Sequence, residues 1–423
     1  MNDIYHDPVR QLKYLRQTLS QNKKPLGFFL AAGCPLAVEM PTYEWPLIPD
    51  IAGLTKFVTE ELHSKVKKKK SKFDLLLEEL IKTGKSNPNI EDILSFVRGL
   101  KQVSVGATDV RGLTEIDLAE LETSICKKIV EKTNVALPNR ETPYHQLAQW
   151  IHLIDRGDSP IECFTTNYDL LTEQAFEETG VAYFDGFVGS RQPFFDLRAI
   201  EDSLIPKHWT RLWKVHGSIN WYFNSKHEIY RSTEVKDSDS CIIDPSHLKY
   251  DQSRKMPYLA LIDRLNSFLR QTSAVLITSG YSFSDIHLND TIVNALKANP
   301  TAMVIALLHD TYTYKDSAGA TIIRYEKAFS HAKDRFNLSA WTLDEAIIGG
   351  QQGKWKVTNR DTLLEENFAG AILEIPELIK AKVAGEKDET IYHYNLQIGN
   401  FAKLGNFLQE LIGKEQFKID DAK

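Results

Sequence analysis

The stretch Leu212-Trp213-Lys214-Val215-His216-Gly217-Ser218-Ile219-Asn220-Trp221 decides the reading of this chain, together with the earlier Thr165-Thr166-Asn167-Tyr168-Asp169. In each, a hydrophobic run breaks off into polar, chemically usable side chains. An open parallel sheet presents its ligand-facing groups at such a point, beyond the carboxyl ends of its strands. Asn167 and Asp169 are two residues apart, so in an extended strand end they share one face. Asn167 could then hold a water or a ribose hydroxyl, with Asp169 orienting it. The alternative is an Asx-type turn capping a helix that begins near Leu170. His216 suits a general base near neutral pH, and Gly217 and Ser218 leave room for a ligand beside its ring. A histidine satisfied by its own surroundings is the alternative there.

Working outward, strand-like runs alternate with helical ones. Residues 25–33 form a continuous apolar run ending in small residues, the pattern of a strand buried on both faces. Comparable runs occupy 161–166, 181–184, 211–215, 241–244, 274–278 and 302–308. Helical spacing marks 10–19, 144–154, 259–269 and 288–297. The alternation predicts an α/β fold: a Rossmann-like, mostly parallel sheet with helices on both faces. Between the first and second strands, from about residue 55 to 135, the texture becomes helical throughout. Phe73, Leu75, Leu76, Leu77, Leu80 and Ile81 make one apolar face and Ile93, Leu94, Phe96, Val97 and Leu100 another. This stretch reads as a helical insertion. Past Asp310 the pattern loosens, and residues 360–423 look helical. The expected division is therefore a domain of residues 1–315 with its insertion, then a mixed, mainly helical region 316–423 for assembly or partner contact.

Composition limits the function classes. The 423 residues are 42% apolar and 26% charged, as in ordinary globular proteins. A net charge of −6 gives no reason to expect nucleic acid as the main ligand. The basic run Lys65-Val66-Lys67-Lys68-Lys69-Lys70 reads as a solvated helix face, or as a local anionic contact made within a complex. No apolar run reaches the roughly 20 residues of a membrane span, and Met1-Asn2-Asp3-Ile4-Tyr5-His6 does not read as a signal peptide. A cytoplasmic protein without membrane contact is the expectation. Cys34, Cys126, Cys163 and Cys241 form no C-x-x-C pair, which argues against a zinc ribbon and a disulfide framework.

Several familiar sites are missing. There is no G-x-G-x-x-G, G-x-S-x-G or H-E-x-x-H. Gly349-Gly350-Gln351-Gln352-Gly353-Lys354-Trp355 has the wrong spacing for a P-loop, and Trp355 stands where a hydroxyl must reach magnesium. Two small-residue loops do follow strands. Ala31-Ala32-Gly33-Cys34-Pro35 would let backbone approach a phosphate, with a following helix N-terminus adding its dipole. Ser279-Gly280-Tyr281-Ser282-Phe283-Ser284-Asp285 brings hydroxyls to the same sheet edge. A Cys34–His216 nucleophile pair lacks a third orienting group in the sequence. Asp285 and His287 alone do not make a metal site.

Four strand-end segments, in this order, resemble the sirtuin-like NAD-binding fold. Its Gly-Ala-Gly-x-Ser and Ile-Pro-x-Phe-Arg look like Ala31-Ala32-Gly33-Cys34-Pro35 and Met40-Pro41-Thr42-Tyr43-Glu44. Its Thr-Gln-Asn-x-Asp matches Thr165-Thr166-Asn167-Tyr168-Asp169, its Leu-His-Gly-Ser matches Val215-His216-Gly217-Ser218, and its Gly-x-Ser-Leu looks like Gly280-Tyr281-Ser282-Phe283. The likeness spans about residues 20–315. It departs at Ala31, Pro35 and Glu44, and the four-cysteine zinc module of deacetylating sirtuins has no counterpart beyond Cys241. With its helical insertion the chain is most similar to the bacterial sirtuin-like NAD hydrolases of antiphage defence that partner a HerA-type ATPase.

That resemblance implies a NAD+ glycohydrolase (NADase) with NAD as its substrate, nicotinamide and ADP-ribose as products, and no zinc. It implies a homo-oligomer bound to the ATPase, with any nucleic-acid contact made only through the complex. Asn167, His216 and Asp169 would be the catalytic residues. Ala32, Gly33, Cys34, Thr42, Thr166, Gly217, Gly280 and Ser282 would surround the dinucleotide. Two alternatives stay open: a NAD-dependent protein deacylase, and a module that senses NAD or ADP-ribose without turnover.

Overall fold

In the computed structural model, residues 4–65, 70–154, 156–157, 159–201, 204–224, 226, 228–232, 234, 242–243, 257–359, 370–379 and 389–413 are described. Cys241 and most of the Lys65–Lys70 run fall outside these residues.

Ten strands form the central sheet. In chain order they are β1 (Tyr5–His6), β2 (Leu26–Leu30), β3 (Ile161–Thr165), β4 (Tyr183–Phe184), β5 (Thr210–Lys214), β6 (Val275–Ser279), β7 (Met303–Leu307), β8 (Leu338–Trp341), β9 (Glu345–Ile348) and β10 (Gln351–Trp355). Across the sheet they lie β1-β10-β9-β8-β7-β6-β2-β3-β5-β4. All pairings are parallel except β8–β9 and β9–β10. The six central parallel strands therefore run third, second, first, fourth, fifth, sixth in chain order, the doubly wound Rossmann arrangement. The fold is α/β, as the alternation of strands and helices predicts.

The strands are apolar on both sides because both faces are covered. Leu26, Phe28 and Leu30 pack beneath the helices Pro8–Leu19, Pro143–Leu153 and Phe401–Leu411. Phe29 points the other way, with Leu265, Phe268, Ile292 and Phe329 from the helices Tyr258–Arg270, Ile286–Ala298 and Glu326–Asp334.

The insertion is a separate helical layer of Ile51–Leu62, Lys72–Ile81, Ile90–Ser104 and Glu115–Thr133. Reciprocal capping boxes start the last three, at Ser71/Asp74, Asn89/Asp92 and Thr114/Asp117. Its apolar core of Val58, Phe73, Leu76, Ile93, Leu94, Val97 and Ile125 continues into Ile219 and Tyr222, just past His216. Tyr168 and Leu170 are half-buried against the same cluster. The insertion thus sits on the loops that follow β3 and β5.

Three expectations are corrected. The division near residue 315 falls inside one sheet, since β8, β9 and β10 extend it past that point. The region after 360 is not mainly helical among the described residues: an antiparallel hairpin, Ile372–Ile379 with Glu389–Leu396, precedes the helix Phe401–Leu411. There Tyr394 and Leu396 are buried while His393 is exposed, a period of two rich in Thr, Ile and Tyr, which suits a strand. Ile242–Ile243 pairs antiparallel with Gly217–Ser218 and does not enter the central sheet. The first two glycines of the P-loop-like segment are a hairpin turn, with Gly349 at φ 60° and Gly350 at φ 79° between β9 and β10, and Gly353 lies within β10. Among the described residues no helix is long and apolar enough to cross a membrane.

Candidate functional site

The sheet changes winding direction between β2 and β6, the place where doubly wound sheets open a crevice for ligands. Here the loops after the two strands touch. The Ala31 N–H donates to the Ser279 carbonyl at 3.0 Å, and the Gly33 N–H to the Gly280 carbonyl at 3.1 Å. Gly280 has φ 68°, and a Cβ on it would come within 2.6 Å of the Cys34 nitrogen. A Cβ on Gly33 would stand 2.6 Å from the Gly280 Cα. Only glycine permits this backbone crossing. No α-helix starts directly after β2. A short 3-10 turn, Pro35–Ala37, follows, and the next α-helix begins at Ile51, because Pro41, Pro46 and Pro49 interrupt the backbone N–H supply a helix needs. The expected helix dipole is therefore absent from this loop.

Beyond β3 the chain turns sharply. The Asn167 N–H donates to Thr165 Oγ1 at 3.0 Å, and its Nδ2 donates to the Ala31 carbonyl at 3.3 Å. Its Oδ1 and second Nδ2 hydrogen are the groups that the Tyr144 hydroxyl and a ligand can meet. Asp169 is buried, and its Oδ1 accepts the Leu171 N–H at 3.0 Å at the start of the helix Leu171–Thr179. The capping alternative holds for Asp169, which nevertheless lines the cavity. Burial pushes its carboxyl up to about 6, with Lys214 pulling the other way. The buried Lys214 ammonium is itself held by the Asp169 carbonyl and, at 2.8 Å, by Glu173 Oε1. The Tyr144 hydroxyl, also fully buried, lies in the field of Asp169 and beside Asn167.

His216 lies in the turn between β5 and the short strand Gly217–Ser218, with Gly217 at φ 90°. Its Nε2 is 3.2 Å from Asp285 Oδ2. Asp285 is fixed by its other oxygen, which accepts the N–H groups of His287 and Leu288 at 2.8 and 3.1 Å to cap the helix Ile286–Ala298. The same loop is held by Asn289, whose Nδ2 donates to the Phe283 carbonyl and whose Oδ1 accepts the Tyr281 hydroxyl, both at 2.7 Å. Phe283 sits at φ 59°, a strained conformation for a side-chain-bearing residue.

These loops line one cavity of about 140 Å³. Ala31, Ala32, Thr166, Asn167, Asp169, His216, Gly280 and Ser282 line it, so the structure brings together most residues chosen from the sequence. Ile51, Leu54, Glu91 and Thr133 close it from the insertion. Its described walls carry the carboxyl groups of Glu91, Asp169 and Asp285 and no lysine or arginine.

Four chosen residues lie elsewhere. Thr42 is exposed in the turn after Pro41, while Gly33, Cys34 and Gly217 shape the loops behind the wall. Cys34 is fully buried, its thiol donates to the Ser279 carbonyl at 3.3 Å, and burial pushes it up to about 12. It is a neutral packing residue, which removes the thiol–imidazole pair. Sequence reasoning missed Asp285 as the orienting partner of His216, and it missed Glu91. Asp285 carried a signal, an Asx cap before a helical run. Glu91 carried none, because its 125-residue separation from His216 is closed only by the packing of the insertion. Among the described residues no group of three or more His, Cys, Asp or Glu side chains could hold a metal.

Sequence comparison with curated proteins finds no match. Two solved structures align loosely. One, from work on the mechanism and regulation of Sir2 enzymes, is 13% identical over 70% of this chain and 85% of its own, with a TM-score of 0.34. The other, a mutant Sir2 homologue in complex with ADP-ribose, is 14% identical over 69% and 84%, with a TM-score of 0.32. The family model of the SIR2-like domain matches residues 161–326, the stretch that runs from β3 through Asn167, His216 and Asp285 to the start of the helix Glu326–Asp334.

Proposed function

We propose that this protein is a NAD+ glycohydrolase that cleaves the nicotinamide–ribose bond with water. The observation that carries the reading is the convergence of Asn167 and the His216–Asp285 pair in one cavity at the switch point of the sheet. The walls suit the nicotinamide-ribose end of the substrate: an apolar side from Ile48, Pro49, Ile51 and Leu54, hydroxyls from Thr166, Ser282 and Ser284, and carboxyl groups that favour a cationic pyridinium ring.

The leaving group is already cationic, so the C1′–N bond breaks with its electron pair passing to the nicotinamide nitrogen. No general acid is required. The transition state is oxocarbenium-like. Water adds to C1′, and its proton passes to His216 and then to solvent, giving nicotinamide, ADP-ribose and one proton. In the neutral imidazole, a proton on Nε2, the nitrogen nearest Asp285, leaves the buried Nδ1 as the acceptor, and the carboxylate then stabilises the imidazolium. Asn167 Oδ1 holds the water or a ribose hydroxyl.

The setting we infer is antiphage defence by NAD depletion, as a homo-oligomer acting with a HerA-type ATPase. This rests on the motif resemblance. The decisive measurement is nicotinamide release from NAD by purified protein, with and without a co-expressed ATPase partner. Asn167→Ala and His216→Ala should each lower it by about 100-fold or more. Release from neither preparation sinks the hydrolase; release only with an acylated peptide makes it a deacylase. NAD binding without turnover makes it a sensing module.

A further inference from the structure

The helical insertion contributes one ionisable group to the cavity. Glu91 is the second residue of the helix Ile90–Ser104, and it is presented at the cavity wall by the capping box of Asn89 and Asp92. The Tyr168 hydroxyl, from the residue between Asn167 and Asp169, reaches its Oε1 at 3.3 Å. This contact ties the insertion to the loop after β3. The ionisable groups that face Glu91 come from each surrounding element: Tyr168 after β3, His216 after β5, Tyr281 and Asp285 after β6, and Asp92 on its own helix. Among these His216 is the group that becomes cationic, and it favours the ionised form of Glu91, whereas Asp285 and Asp92 oppose it. Burial, the largest influence, raises the Glu91 carboxyl above the usual range.

We propose that Glu91 is a positioning residue for His216: from the insertion it lines the same cavity as the imidazole and Asp285, so that carboxylates from two elements stabilise the protonated form of the ring. The proposal rests on the hydrolase reading for its catalytic meaning but not for its test. A carboxylate from the sheet loop alone would fix the ring's tautomer. A second one, delivered by a separate helical layer, makes the basicity of His216 depend on the insertion being seated. Closure of the insertion and readiness of the base then become one event, since a group near an opposite charge gains protons only while that charge is in place.

The test is the titration of His216, read by NMR of the imidazole Cε1–H in histidine-labelled full-length protein, with His216→Ala assigning the resonance. Glu91→Gln keeps the shape and removes the charge. The His216 midpoint should fall by about one pH unit. Glu91→Asp, which withdraws the carboxylate by one methylene, should fall between the two and serves if Glu91→Gln does not fold. An unchanged midpoint in either folded variant overturns the proposal. In nicotinamide release, Glu91→Gln should lower kcat about tenfold with KM changed less than about twofold, and the acid limb should move to lower pH with His216. A wild type that releases no nicotinamide removes the hydrolase reading, while the titration still decides the role of Glu91.

Discussion

Asp169 illustrates how a single residue serves two ends. Its carboxyl accepts the first N–H of the helix Leu171–Thr179 and also lines the cavity, and burial raises it from the ordinary carboxylate value of 3.8 to about 6. The folded chain therefore holds a proton that the unfolded chain releases between those values. The resulting stabilisation is complete below about pH 4 and is lost as pH rises through 6, by about 3 kcal/mol. Asp169→Asn keeps an acceptor for the Leu171 N–H and removes the titration. Urea denaturation at pH 4 to 7 should then show the difference in stability between variant and wild type shifting toward the variant as pH rises. A difference independent of pH would show that Asp169 does not carry the proton. The pairing of Asn167 with Asp169 was readable from spacing alone. The turn was readable as its alternative, and the carboxyl both accepts the Leu171 N–H and lines the cavity.

At the scale of elements, the loops after β2 and β6 are the least replaceable part of the site. Gly280 combines a left-handed φ with backbone contact to Cys34 and Ala31. Gly280→Ala should cost at least about 2 kcal/mol in chemical denaturation, from the left-handed conformation and the displaced backbone together. If NAD occupies the cavity as proposed, the variant should also lose any rise in midpoint that NAD gives the wild type, because the cavity wall moves with the loop. A variant as stable as wild type would mean that the loop yields easily. The glycines were visible in the sequence as small residues in turns. Their necessity was not, because it comes from two loops separated by some 245 residues crossing each other.

Over the whole molecule, the C-terminal helix supports the site from behind. Phe401 packs edge-on against Tyr144 at 5.1 Å between ring centroids, and Gln146 joins Asn406 and Gln409 by hydrogen bonds at 3.0 Å. Tyr144 in turn lies beside Asn167 and Asp169. Phe401→Ala should lose about 3 kcal/mol through the cavity it leaves, measured by urea denaturation. A loss below about 1 kcal/mol would show this helix to be an appendage. The sheet carries the same message, since β8, β9 and β10 lie past the expected domain boundary and yet extend the central sheet.

Local pattern sufficed for the α/β class, the doubly buried strands, the helical insertion and the position of Asn167, Asp169 and His216 where strands end. Each rests on periodicity or on the point where a strand ends, and both are properties of neighbours in the chain. Tertiary structure alone decided that His216 faces Asp285, that Cys34 is inert, and that Glu91 from the insertion joins the same cavity. Those outcomes depend on burial and on charges brought together from distant segments. Sequence separation carries no information about such fields until the sheet order and the seating of the insertion are known.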